Sequence, residues 1–340
     1  MQQNFEPGNR RIIFVSALAL LFSSGNAAAD ATVSLSGFLT GGAASFGISD
    51  LQNFAASNPT AVQTVTVGGD VYTGVSLYSY LHATIAVDPT VPKNDILRDY
   101  VVATGGDGSS TAYALGNLSP SGFGVANDIL AYSDNSGLLA APSLIASDGA
   151  SETNLTGLQV GHVAYAGAGA GGVSNSFTIN GAVSNPGTYT SSNLPGDLTP
   201  QTVTVTTPPI SGAAFTGVSL WKLLVEAGIS TDPAVYRNEY VIATGTDNYQ
   251  AIISLEEIAP ALGAQDDLLA YATAAGASLG SSGFARIVIP SDAKAGRYVS
   301  NIESLTVVSA VPLPGAASML LSGMAALIVN RRFLAIRRTA

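Results

Sequence analysis

Cysteine is missing altogether from the 340 residues, and there are only two histidines, one tryptophan and thirteen lysines and arginines. Without thiols the chain can form no disulfide, no thiolate metal site and no cysteine nucleophile. Stability must come from a packed core, which two domains of ordinary size can supply at this length. His82 and His162 stand alone in sequence and do not make a histidine-built metal site. Both precede Ser278, so Gly276-Ala277-Ser278-Leu279-Gly280, which fits the G-x-S-x-G nucleophile pattern, lacks the histidine that must follow the serine and reads as a turn. Only 11% of residues are charged while 37 are glycine, a balance that favours compact β-rich modules over long solvated helices.

The few cations are unevenly placed. Arg10, Arg11, Arg331, Arg332, Arg337 and Arg338 lie in the terminal segments with Glu6 alone among the acids, so the body carries 22 acids against 7 bases. A surface of that sign repels phosphate backbones and excludes nucleic acid as a partner. Acid of this kind keeps an exported protein soluble.

What the chain does contain is a duplication. FTGVSLWKLL from Phe215 answers YTGVSLYSYL from Tyr72, and EYVIATGTDNY from Glu239 answers DYVVATGGDGS from Asp99. QTVTV at Gln63 and Gln201, DILAY at Asp128 and DLLAY at Asp267, IASD at Ile145 and IPSD at Ile289, and the blocks opening at Asn154 and Asn301 keep the same order, at offsets of 138 to 147. Ordered repetition of this length indicates two copies of one unit. The β-branched runs VQTVTV and DYVVATG predict strands, and Leu77 with Leu81, or Leu220, Leu223, Leu224 and Ala227, predict one short helix per copy, with Gly74 near its start in the first and Gly228 ending it in the second. The fold class is therefore α+β, as two tandem β-rich repeats over residues 30–163 and 177–309. AYAGAGAGGVSNS, residues 164–176, is the expected linker, and the Gly/Ala/Ser-rich passage ending near Asn58 is expected to be loop. Asp107 and Asp247 occupy matching turns, and with Asp266 and Asp267 they are candidate oxygen ligands for calcium, against the ordinary role of turn aspartates in capping backbone amides.

The ends are of another kind. Asn9-Arg10-Arg11, the apolar run Ile12 to Phe22, and Ala27 and Ala29 at positions −3 and −1 predict a signal peptide over residues 1–29, cleaved before Asp30 and read by the Sec export machinery. Val311-Pro312-Leu313-Pro314 is followed by an apolar stretch, a transmembrane helix expected at about residues 315–330, and then by Arg331, Arg332 and the later arginine pair. Proline motif, apolar helix and basic end, in that order over residues 311–340, resemble the PEP-CTERM sorting signal of Gram-negative bacteria, in the variant with leucine in place of glutamate. That resemblance implies an exosortase-type membrane enzyme as partner, a membrane-anchored precursor, and delivery to the cell surface or extracellular matrix, where exopolysaccharide is a candidate partner.

The second copy also resembles the molybdopterin-binding domain of the sulfite oxidase family. The resemblance rests on FTGVSLWKLLVEAGI, EYVIATGTDNYQAIISLEEI, DLLAY and GFARIVIPSDAKAGRYVSNIESLTV, with Arg286, Pro290, Arg297 and Tyr298 in matching places, Phe284 where proline is usual and Asn248 where glycine often stands. It implies a ligand groove around Asp247, Tyr249 and Arg286. Active members of that family hold molybdenum through a cysteine thiolate, which this chain does not have, so no catalytic residue, no resident metal and no molybdopterin are expected. The function expected is an exported surface or matrix protein with a binding or structural role. The alternatives are an oxidoreductase-like protein that retains pterin or another ligand, and an adhesin stiffened by calcium.

Overall fold

A computed structural model describes residues 30–310, apart from 120–122, 125, 148, 195–197 and 207–208. The signal-peptide residues Ala27 and Ala29, the motif Val311-Pro312-Leu313-Pro314 with its helix, and Arg331 and Arg332 lie outside the described residues. Among the described residues no helix is long and apolar enough to cross a membrane.

The chain is rich in strands and has few, short helices, a β-rich α+β fold. In chain order the first half contains β1 (Val33–Gly37), β2 (Ala44–Phe46), α1 (Ile48–Ser57), β3 (Val62–Val67), β4 (Asp70–Ser76), α2 (Leu77–His82), β5 (Asp99–Thr104), β6 (Ser110–Ala114), α3 (Leu115–Leu118), β7 (Ile129–Asp134), β8 (Gly137–Ile145) and β9 (Gly157–His162). The second half contains β10 (Phe177–Gly181), β11 (Gly187–Tyr189), β12 (Gln201–Thr204), β13 (Ala214–Ser219), α4 (Leu220–Glu226), α5 (Pro233–Tyr236), β14 (Glu239–Gly245), β15 (Gln250–Ser254), α6 (Leu255–Ile258), β16 (Leu268–Thr273), β17 (Arg286–Val288) and β18 (Ile302–Ser309). Each half builds one five-stranded and one four-stranded sheet. The orders correspond strand for strand: β2-β1-β9-β5-β6 with β11-β10-β18-β14-β15, and β3-β4-β7-β8 with β12-β13-β16-β17. In both halves the first and last strands pair parallel, β1 on β9 and β10 on β18.

The TGVSL motif shared by the halves has a position-by-position explanation. Gly74 and Gly217 lie in strands β4 and β13, not at a helix start, and the pairing to the neighbouring strand shifts register at each. A Cβ there would stand 2.3 Å from the Leu130 carbonyl oxygen or 2.2 Å from that of Leu269, so only glycine lets the backbones approach. Val75 and Val218 point into the cores. Ser76 and Ser219 accept from the amides of Ser79 and Lys222 as helix N-caps, and Leu77 and Leu220 are fully buried at the first turn. Gly228, at φ +88°, ends the helical stretch as expected.

DYVVAT and EYVIAT bury both faces. Val101 and Ala103 enter the core of the first half, and Val241 and Ala243 that of the second. The alternate residues Val102 and Tyr240, with Ala112, Ala114, Ile252 and Ala310, form a separate apolar cluster between the two five-stranded sheets, where the Tyr100 and Tyr240 rings lie 4.4 Å apart. The halves therefore pack against each other through corresponding strands, which is why these segments read as unbroken apolar runs instead of alternating ones.

Two expectations need correcting. The passage before Asn58 contains the ten-residue helix α1, whose Ile48, Leu51 and Ala55 make a buried stripe. The Gly/Ala/Ser segment is no free spacer: Gly169 N–H and Gly171 N–H donate to the carbonyls of Asp247 and Thr246, Thr246 Oγ1 donates to Gly172 O at 2.8 Å, and Asn248 Nδ2 donates to Gly167 O at 2.9 Å. Backbone pairing of this kind fixes a glycine-rich chain that would otherwise sample many conformations.

Candidate functional site: a polar cleft at the junction

The segment between the halves crosses the Thr246–Asn248 turn and helps to form a cleft of about 360 Å³. Lys93 and Asn94 come from the first half, Gly171 and Gly172 from the crossing segment, and Thr246, Asp247, Tyr249, Gly296, Tyr298, Ser300 and Asn301 from the second half. Asn248, at φ +61°, turns the chain where glycine would otherwise be favoured. Asp247 Oδ1 accepts the Tyr249 amide at 3.0 Å, and in the matching turn Asp107 Oδ1 accepts the Ser109 amide at 2.9 Å. Both aspartates thus cap their own turns.

Tyr249 joins the halves: its hydroxyl donates to Gly296 O at 2.6 Å and accepts from Asn94 Nδ2 at 2.9 Å, while Lys93 Nζ sits 5.1 Å from the ring centre. Burial pushes its phenol above the ordinary value. Of the three residues expected to form a groove, Asp247 and Tyr249 are brought together and Arg286 is not. Arg286 packs behind the cleft with its guanidinium 5.2 Å from the Phe215 ring and 6.0 Å from the ring of Tyr298, its Nε has no hydrogen-bond partner, and burial lowers its pKa. Sequence reasoning missed Lys93, Asn94 and the crossing glycines, because they reach the cleft only through the packing of one half on the other.

These residues do not fit molybdopterin. The chain offers no thiolate for molybdenum. Of the cations at hand, Lys93 lies over Tyr249 and Arg286 faces aromatic rings, so neither is set to receive a cofactor phosphate.

Behind the cleft lies a buried ion network. Arg297 is fully enclosed and makes five hydrogen bonds: Nη1 to both oxygens of Glu257 at 2.9 and 3.0 Å, Nε and Nη2 to Asp292 at 3.0 and 2.6 Å, and Nη2 to Asn117 Oδ1 of the first half at 3.2 Å. Burial opposes the charge on the guanidinium, but Asp292 and Glu257 outweigh it and raise the pKa. Asp267 lies nearby, 2% exposed, with no partner for either carboxylate oxygen. Its carboxyl is pushed well above the usual range, first by burial and then by Glu257. Asp267 and Asp247 are therefore parts of different structures, a buried network and a turn, and do not form one oxygen-ligand set.

Asp267 gives a pH prediction. The unfolded carboxyl titrates near 4, so below about pH 4 both states are protonated, and as pH rises only the unfolded state gains by ionising. Stability should fall as pH rises towards the folded-state value. Asp267→Asn, which stays neutral, should gain in urea midpoint relative to the parent as pH rises above the unfolded carboxyl's ordinary range, until the folded carboxyl too ionises. A pH-independent difference between the two proteins would contradict this protonation state.

The chain matches no protein-family model and no curated protein. Among solved structures it is similar to the sulfane dehydrogenase SoxCD from Paracoccus pantotrophus, with 22% sequence identity and a TM-score of 0.30, over 39% of this chain and 37% of that one. The similarity thus spans well under half of either chain.

Proposed function

We propose that this chain is an exported protein of the cell surface or extracellular matrix, sorted through its C-terminal segment by an exosortase-type enzyme, and that it binds a neutral saccharide in the junction cleft without catalysing a reaction. The observation that carries the binding reading is the cleft lining: Asn94, Thr246, Ser300 and Asn301 are uncharged polar side chains around the ring of Tyr249, with Asn94, Thr246 and Asn301 also bonded within the fold and Tyr298 buried in the wall. Rings with uncharged hydrogen-bonding groups suit the alternating apolar faces and hydroxyls of a sugar. The side chains there that could carry proton-transfer chemistry are occupied with structure, Asp247 as a turn cap and Tyr249 as a tie between the halves. The body is read as two tandem copies of a molybdopterin-domain type of fold used without its cofactor. Support for the tandem copies comes from the matching sheet orders and the paired glycines.

Two measurements test this. Mass spectrometry of protein from its native source should find an N-terminus at Asp30 and a C-terminus shortened within residues 311–340; an intact tail would reject the sorting step. Affinity electrophoresis of the full-length protein in gels containing the source's exopolysaccharide should show retardation that Ser300→Trp, which fills the cleft, abolishes. Equal mobility of the two proteins would reject the cleft as the binding site, and equimolar molybdenum with pterin in the purified protein would reject the cofactor-free reading.

A further inference from the structure

The two halves differ most between their second and third strands. In the first half α1 fills that interval and sets Leu51 and Ala55 against Val75, Leu130 and Leu144 of the four-stranded sheet. The second half joins β11 to β12 through residues 190–200, and no helix forms among the described residues there. At the β12-β13-β16-β17 sheet lies a cavity of about 420 Å³. Val218 and Tyr271 line it, and these are the counterparts in sequence of Val75 and of Tyr132, which belong to the core that α1 covers. What a helix closes in one copy is thus left open in the other.

The neighbouring hairpins differ as well. Strands β7 and β8 pair as far as Asp134 and Gly137, whereas β16 and β17 pair only from Leu268 to Ala270. Further along, Thr273 N–H donates to Ala277 O at 2.8 Å to close a turn, and the chain then runs outside the sheet until Arg286. Ser278, Leu279, Gly283 and Phe284 of that detour line the cavity, as do Leu198 and Pro200. Phe284 is the partly exposed end of a stack, 6.0 Å from the Phe177 ring, which lies in turn 5.3 Å from that of Tyr189. Among the described residues no charged side chain lines the cavity. A second space of about 370 Å³ shares Ser191, Ser278, Gly283 and Phe284 with it and extends past Ser174 and Asn175 of the crossing segment.

Size and lining decide what the cavity can take. A helix as long as α1 is a cylinder about 15 Å long and about 10 Å across, on the order of 1,200 Å³, which is far too large. The cavity instead falls within the range of about 300–1,000 Å³ that small ligands occupy. A charged group would lose its water there without gaining a counter-ion, whereas a flat ring can stack on exposed aromatic surface. We propose that this cavity binds a neutral aromatic molecule, its ring beside Phe284 and Tyr271 and one hydroxyl or ether oxygen towards Ser191 and Ser278, which are both exposed. The second copy has so exchanged a built-in helix for a ligand site. That site shares no lining residue with the junction cleft and does not depend on what the cleft binds.

The test uses full-length protein and the neutral dye phenylnaphthylamine, whose fluorescence rises in apolar surroundings. Titration should saturate at one dye per chain, and the melting temperature should rise with dye concentration. Ser278→Trp, at an exposed position on the rim, should fill the cavity and weaken binding by about ten-fold or more, while Ser278→Ala should bind as the parent does. Ser300→Trp, which fills the junction cleft instead, should leave dye binding unchanged, so that failure here and failure of the saccharide reading are told apart. The proposal is overturned if the folded parent shows no saturable binding or if folded Ser278→Trp binds as the parent does. Displacement of the dye by a synthetic peptide of residues 48–57 would also overturn it, by showing a groove for a helix. Circular dichroism shows whether each variant is folded, and Ser191→Trp, on the same rim, decides the matter should Ser278→Trp fail to fold.

Discussion

Arg297→Met is expected to lower the free energy of unfolding by about 3–5 kcal/mol, measured by urea denaturation at neutral pH. Removing the guanidinium leaves Glu257 and Asp292, both almost wholly buried, without the donors that now saturate their inner oxygens. Desolvated carboxylates cost several kcal/mol each unless they take up protons. The cost arises from breaking the network, since an enclosed ion pair gains little over a well-packed apolar group of the same volume. Replacing Arg297, Glu257 and Asp292 together by leucine and methionine should therefore recover most of the loss. A single-variant loss below about 1 kcal/mol would mean that the network is wet or protonated, and not the closed ion cluster described here.

The second large effect falls on the TGVSL motif. Gly217→Val would place Cβ 2.2 Å from Leu269 O and 2.6 Å from Ala270 Cα, both backbone atoms of the paired strand, which cannot swing aside as a side chain would. Strand β13 sits inside its sheet between β12 and β16, so the clash must be relieved by parting the strands, at about 3 kcal/mol or more. Gly276→Ala supplies the control. It has a positive φ of +78° but no atom within 4 Å of its Cβ, and should cost only about 1 kcal/mol from backbone strain. Equal losses at the two positions would show that conformational freedom, and not close approach, is what these glycines provide.

Much of this architecture was legible in the chain. Strand segments such as VQTVTV announced themselves by β-branched residues, and the stripe of Leu220, Leu223 and Leu224 marked a helix whose residues are fully buried. The duplicated blocks anticipated the matching sheet orders. Gly74 and Gly217 were legible as important but misplaced, because a glycine beside a helical stripe looks the same whether it opens the helix or ends the preceding strand. Helix α1 was hidden by its own composition: among small residues, Ile48, Leu51 and Ala55 make a weak stripe. The crossing segment looked free because its order comes from bonds between its own backbone and a turn some 80 residues further on, made by that turn's backbone and by the Thr246 and Asn248 side chains, which the glycine-rich stretch itself does not record. Asp247 and Tyr249 were visible as a pair in one turn, whereas Lys93 and Asn94 come from the other half. The pairing of His162 with Asp99 left no signal for the same reason, since the aspartate lies more than sixty positions upstream and meets the imidazole only after β5 and β9 pair.

The placement of β18 also bears on how the body would respond to being pulled. It runs between β10, parallel to it, and β14, antiparallel to it and in register from Glu239 to Thr244, with a shift at Gly245. Because the parallel pair points one way, residues 177 and 309 lie at opposite ends of the paired strands. Tension between the start of the second half and its C-terminal end therefore acts along the strands and must shear the row of hydrogen bonds between β10 and β18 together, instead of unzipping it bond by bond. Pulled between residues 177 and 309, the second half should therefore give way in one step at high force, and not peel gradually, with a lifetime set by the rate of unfolding.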